Sequence, residues 1–164
     1  MQEYSSANTS LRQVPRLHRI LVEKNLFNSI NFDNGAGKFL DATEFLAENG
    51  VLNVRYDKYN LPDDINNNAK QYSGMCYTST VANVLNVIDS ETAQLRVLKN
   101  SYDMLRTGGS IFISVYEGNK SGIGKNTKKD CWQNNKRLVD YLDTVKKVFP
   151  NASIYNNMIC GIKD

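Results

Sequence analysis

The chain has 164 residues, 41% of them apolar, and a formal net charge of +3, which supports one globular domain with a real core and is too mild a charge to establish nucleic-acid binding. No window approaches the ~18 continuous apolar residues of a membrane span, and the polar N-terminus lacks the apolar core of a secretion signal. Cys76, Cys131 and Cys160 are widely spaced and His18 is the only histidine, so neither a disulfide framework nor a metal site is expected, and a reducing cytoplasm is the natural home.

Residues 1–9 are polar and read as loose. Residues 10–24 read as a helix with Pro15 in its first turn; Val14, Leu17, Ile20 and Leu21 keep helical spacing, and His18 borders that face as a packed or surface histidine. Ile30 and Phe32 mark a strand that ends in Asp33. Gly35 and Gly37 follow, allowing sharp backbone angles and leaving room where a Cβ would intrude. A helix over 39–49 is stopped by Gly50. A second strand over 51–56 ends in Asp57, placed to accept hydrogen bonds from two ribose hydroxyls.

A glycine turn after strand one with an acid after strand two resembles the class I S-adenosylmethionine-dependent methyltransferases, with Asp33-Asn34-Gly35-Ala36-Gly37 as the glycine motif. Gln13-Val14-Pro15, Gly37-Lys38-Phe39 and the stretches 56–60, 82–88 and 127–134 are similar to small methyltransferase-like proteins of phages, mobile elements and DNA-modification gene clusters. The resemblance implies a Rossmann-like α/β sandwich over residues 1–164 as a single domain, with a mostly parallel sheet and a C-terminal antiparallel hairpin. It implies S-adenosylmethionine as cofactor, with Asp33, Asn34, Gly35, Ala36 and Gly37 around its methionine portion and Asp57 on its ribose. If the chain is phage-encoded, its compartment is the host cytoplasm. Arg12, Gln13 and Arg16 face the cofactor pocket or are simply solvated.

After Asp57 a full class I fold would show a third strand, but 61–74 is short and rich in Asn and Asp, so that strand is expected to be missing. Lys58 and Tyr59, with Asn60 and Leu61, then stand in at the cofactor's base. Residues 75–82 read as the next central strand, rich in β-formers. Asn83 and Asn86 follow at its carboxyl end, where open α/β sheets bind ligands, and can present amides to the methyl donor or substrate; each is otherwise a turn or cap residue. Asp89 and Ser90 cap a helix over 91–106, Gly108-Gly109 ends it, and 110–116 is the following strand. Tyr116 and Glu117 at its end are the candidates to accept or relay a proton.

Residues 117–133 are the longest irregular stretch, with Lys120, Lys125, Lys128, Lys129 and the only tryptophan, Trp132. Such a loop contacts an anionic substrate through Lys125, Lys128 and Lys129 and stacks on it through Trp132, or else is solvated with Trp132 as its anchor. Residues 133–149 read as an amphipathic helix stopped by Pro150, and 152–155 pairs with 158–163 through Asn156-Asn157 as a terminal hairpin. The acceptor stays open between a small molecule, a modified nucleotide and nucleic acid delivered by a partner. No DPPY-type tetrad, catalytic Pro-Cys or target-recognition domain is seen. Two further readings are a protein that degrades or sequesters the cofactor and a non-catalytic regulatory subunit.

Overall fold

The computed structural model describes residues 2–164. In chain order it contains α1 (Arg16–Glu23), β1 (Ile30–Asn34), α2 (Asp41–Glu48), β2 (Leu52–Tyr56), α3 (Asp63–Ala69), β3 (Cys76–Ala82) and α4 (Glu91–Met104). These are followed by β4 (Leu105–Ser114), β5 (Lys125–Lys128), β6 (Cys131–Gln133), α5 (Leu142–Lys146), β7 (Ser153–Tyr155) and β8 (Met158–Ile162). The main sheet runs β2-β1-β3-β4-β8-β7. Its first four strands are parallel, and β8 runs antiparallel to both β4 and β7. Between β2 and β3 lie only α3 and a 3-10 turn at Lys70–Tyr72, so β2 is the sheet edge, as the missing third strand requires.

Alternation along the strands separates two unlike faces. Phe32 and Ser79 point one way, with Ile111 and Ile113, into an apolar core that includes Leu98 of α4 and Val145 and Phe149 around α5. Asn31, Asp33, Asn53, Thr78 and Thr80 point the other way, toward α1. Leu17 and Leu21 of α1 pack on Phe112 and Met158, and His18 between them is fully buried over the polar strip. The hairpin closing β7 to β8 turns through Asn156 and Asn157 at φ of 49° and 56°, the left-handed pair that a two-residue turn demands and that asparagine tolerates.

Four expectations need correction. The helix expected over 10–24 starts only at Arg16, with Pro15 as its N-cap. Of the stretch 1–9, expected to be loose, the described residues are fastened: Ser5 bonds Asp130 through its backbone N–H and its hydroxyl, and Ser6 N–H donates to Asp130 O at 2.8 Å. The loop 117–133 contains the β5–β6 hairpin, and the helix expected over 133–149 is reduced to a 3-10 turn at Leu138–Tyr141 plus α5. Asn135 at φ 55° breaks any helix there, and Asp140 caps the 3-10 turn by accepting from Arg137 N–H.

Candidate functional site

Parallel strands bring their carboxyl ends to one edge, and there β1, β2, β3 and β4 run out into a cavity of about 1040 Å3. Its floor is the turn after β1. Gly35 and Ala36 N–H donate to Tyr56 O at 2.8 and 3.0 Å, and Gly37 N–H donates to Asp57 Oδ2 at 2.8 Å. With those donors committed to the end of β2, the turn offers a ligand glycine backbone surface rather than free N–H groups. Both glycines have positive φ, and each also has a packing reason to lack a Cβ. A Cβ on Gly35 would lie 2.4 Å from Val84, and one on Gly37 would lie 2.4 Å from the Ser10 hydroxyl. Gly35→Ala is therefore expected to lower stability by more than the ~1–2 kcal/mol of left-handed backbone strain. Adding Val84→Ala should recover the clash but not the backbone part, which urea unfolding of the two variants would resolve.

Asp57 is buried and clasped by its surroundings. Oδ1 accepts from Tyr59 and Asn60 N–H at 3.0 Å each, and Oδ2 accepts from Gly37 N–H and, at 3.3 Å, from Asn60 Nδ2. Asn66 of α3 braces it from behind: its Oδ1 accepts from Asp57 N–H, and its Nδ2 donates to Asp57 O. Lys58 and Tyr59 line the cavity beside it, the ammonium 5.3 Å from the Tyr59 ring centre.

The other expected site residues are distributed unevenly. Asn34, Gly35, Ala36, Gly37, Asn83, Tyr116 and Trp132 line the cavity. The Asn34 side chain itself donates to Val97 O and Ser101 Oγ of α4, both at 2.9 Å, so it ties the turn to that helix. Asn83 sits at φ 57°, and its N–H donates to Ser114 O at 2.9 Å.

Asp33 does not line the cavity. Its carboxylate turns into the polar strip under α1, 3.4 Å from His18 Nε2, and accepts from Asn53 Nδ2 at 2.9 Å and from the Thr80 hydroxyl at 3.2 Å. Burial alone raises its pKa, but His18 and the hydrogen bonds from His18, Asn53 and Thr80 outweigh it and hold the carboxyl below its ordinary 3.8. Glu117 is likewise away from the cavity. Its Oε2 accepts Leu138 N–H at 2.8 Å, capping the 3-10 turn. Lys125, Lys128 and Lys129 are exposed and line no part of the cavity; Lys128 donates to Asn8 O at 3.0 Å.

The roof comes from the N-terminal stretch, expected to be loose, and from the 117–133 loop, whose Trp132 is an expected site residue. Gln2, Ser5, Ser6, Thr9 and Ser10 reach over the site, joined to the hairpin's Thr127 and Trp132. Tyr4 stacks on Trp132 with ring centres 5.2 Å apart, and Trp132 Nε1–H donates to Asn134 Oδ1 at 2.8 Å. Asn86 is a further lining residue, only 2% exposed, whose Oδ1 has no partner.

No protein-family model matches this chain, and no curated protein sequence does. The likeness is structural. The 1,6-didemethyltoxoflavin-N1-methyltransferase of Burkholderia thailandensis, solved with 1,6-didemethyltoxoflavin and S-adenosylhomocysteine, superposes at a TM-score of 0.64. The two share 14% identity over 90% of this chain and 76% of that one. A candidate S-adenosylmethionine-dependent methyltransferase from Listeria monocytogenes gives a TM-score of 0.57 at 13% identity, over 90% of this chain and 98% of that one. The fold is the Rossmann-like methyltransferase fold. The [4+2]-cyclase SpnF shares it too, at a TM-score of 0.58 and 11% identity over 81% of this chain and 55% of that one. Fold alone therefore does not fix the reaction.

Proposed function

We propose that this chain is an S-adenosylmethionine-dependent methyltransferase. The observation that carries the reading is the clasp of Asp57 onto the glycine turn, at the carboxyl edge of the parallel sheet and open to the cavity. Sites for drug-sized ligands span ~300–1,000 Å3, so about 1040 Å3 leaves room for a small acceptor beside the cofactor. When bound, S-adenosylmethionine supplies a sulfonium methyl group, and transfer forms the bond from acceptor to methyl as the carbon–sulfur bond breaks and its electron pair stays on sulfur.

The chain's own contribution is alignment. Asp57 receives the ribose hydroxyls, the Gly35 and Gly37 backbone lets the methionine portion approach, and Tyr59 covers the base. Asp33 acts from beneath, holding β1 to β3 and to α1. Among the described residues, Asp57 is the one acid that lines the cavity, and no histidine does. The acceptor's proton accordingly passes to water, directly or relayed by the Tyr116 hydroxyl, rather than to Glu117, which is occupied at Leu138.

Calorimetry with S-adenosylmethionine and with S-adenosylhomocysteine tests the reading: both are expected to bind, and absence of binding by either at millimolar concentration overturns it. Mass spectrometry of cells expressing the protein would then seek the methylated product. Neutralising Lys125, Lys128 and Lys129 together is expected to leave S-adenosylhomocysteine affinity within about twofold, since exposed charges outside the cavity are screened. A loss approaching that of an Asp57 variant would place the hairpin in the cofactor site.

A further inference from the structure

We propose that the Asn86 amide selects the methyl acceptor, and that the acceptor is a neutral planar heterocycle presenting a neighbouring hydrogen-bond donor and acceptor, as a lactam or an amidine edge does. This rests on the methyltransferase reading. Asn86 is only 2% exposed and lines the cavity, yet its Oδ1 meets no partner. A buried amide oxygen left unpaired carries an uncompensated desolvation cost, so such a group points to a ligand that satisfies it.

The surroundings sharpen the assignment. The hydrogen bonds around the turn are made by other groups. Gln94 Nε2 donates to Leu85 O and Ile88 O at 3.3 and 3.1 Å, and Asn134 Nδ2 donates to the same two carbonyls at 2.9 and 3.0 Å. Asn134 N–H donates to Asn86 O at 2.8 Å, and the Ser6 hydroxyl donates to Val87 O at 3.0 Å. Two buried amides and the N-terminal strap thus lock the turn at Leu85–Val87 while its central side chain is left free.

A carboxamide carries a donor and an acceptor side by side, which is why asparagine can read a nucleobase edge with two bonds. The charged lining residues, Asp57, Lys58 and Arg96, stand on the end of β2 and on α4, whereas the turn with Asn86 adjoins β6, whose Trp132 and Gln133 also line the cavity. α4 also holds this turn through Gln94, and the β6 side chains beside Asn86 are uncharged and partly aromatic, which suits an uncharged ring.

The test titrates the full chain, saturated with S-adenosylhomocysteine, with hypoxanthine (lactam), adenine (amidine edge), quinoline (no such pair) and adenosine monophosphate (anionic), followed by protein NMR shifts. Hypoxanthine or adenine is expected to bind, with quinoline and adenosine monophosphate weaker. Asn86→Leu and the near-isosteric Asn86→Asp should each weaken that binding about tenfold or more, with S-adenosylhomocysteine affinity unchanged and melting temperature kept at least in Asn86→Leu, which buries no unpaired charge. The inference is overturned if neither hypoxanthine nor adenine binds, or if the variants bind them as wild type does. It also fails if the variants instead lose S-adenosylhomocysteine, which would assign Asn86 to the cofactor. Failure of the wild-type chain to bind S-adenosylhomocysteine at all would instead sink the methyltransferase reading.

Discussion

Asp33→Ala is expected to lower the unfolding free energy by about 3–5 kcal/mol, because it strips a buried pair of one partner. Against the roughly 5–15 kcal/mol that holds a typical domain together, that is a large share. His18 loses the carboxylate 3.4 Å from its Nε2, and Asn53 and Thr80 lose an acceptor each, all inside a strip with no access to water. The effect should spread, since Asn53 and Thr80 are both joined to Asn31 at 2.9 Å and Asn31 accepts from Thr78 at 2.8 Å.

Changing both partners should cost less than the sum of the two single changes, because the imidazole and the carboxylate are no longer each left facing a missing partner; urea unfolding of Asp33→Asn, His18→Leu and the double variant measures that coupling. The pH dependence has a fixed sign. The Asp33 carboxyl titrates below its ordinary 3.8 in the folded chain, so its contribution is complete above that value and is lost as pH falls through the lowered folded value. Wild type should therefore lose stability toward acid more steeply than Asp33→Asn, and equal acid slopes would contradict the pairing.

The sequence disclosed the parts of this fold whose causes are local. Glycines at the turn, an acid closing β2, uncharged β-formers in β3 and an Asn-Asn hairpin each impose their geometry on neighbours in the chain. The mostly parallel sheet with its C-terminal antiparallel pair is what the resemblance implied, and the absent third strand was legible in the short, Asn- and Asp-rich stretch 61–74. Contacts between distant residues left no periodic trace. The strap is set by Ser5 and Ser6 meeting Asp130, some 125 residues away, so polar residues that looked loose are ordered.

Residues 133–149 mislead for a different reason. Their apolar spacing is real, and Tyr141, Val145 and Phe149 do reach the core. But Asn134 spends its amide on the site's turn, Asn135 spends its amide on the loop before it, Gln133 Oε1 accepts Asn135 N–H, and the helix begins only after them. The acid of the glycine motif was visible as an acid. Its direction was not, since one residue's shift along a strand exchanges cavity for interior.

Asp57→Ala is expected to weaken S-adenosylhomocysteine binding by about 1–3 kcal/mol, roughly five- to 150-fold. Two effects contribute, and they can be separated. The carboxylate organises the site by accepting from Gly37, Tyr59 and Asn60 N–H, so its loss frees the glycine turn from the loop after β2. It also stands ready for ribose. A carboxylate offers about four lone-pair positions, and all are engaged within the protein; the longest contact, from Asn60 Nδ2 at 3.3 Å, is the one a rotating side chain can yield to a hydroxyl. Because one bond replaces another, the direct ribose term should fall toward the lower end of the range. Comparing S-adenosylhomocysteine with its 2′-deoxy and 3′-deoxy analogues isolates it. Wild type should bind at least one deoxy analogue several-fold more weakly, and Asp57→Ala should bind all three alike. If wild type is indifferent to both hydroxyls while still binding, Asp57 only braces the turn, and the ribose lies elsewhere in the cavity.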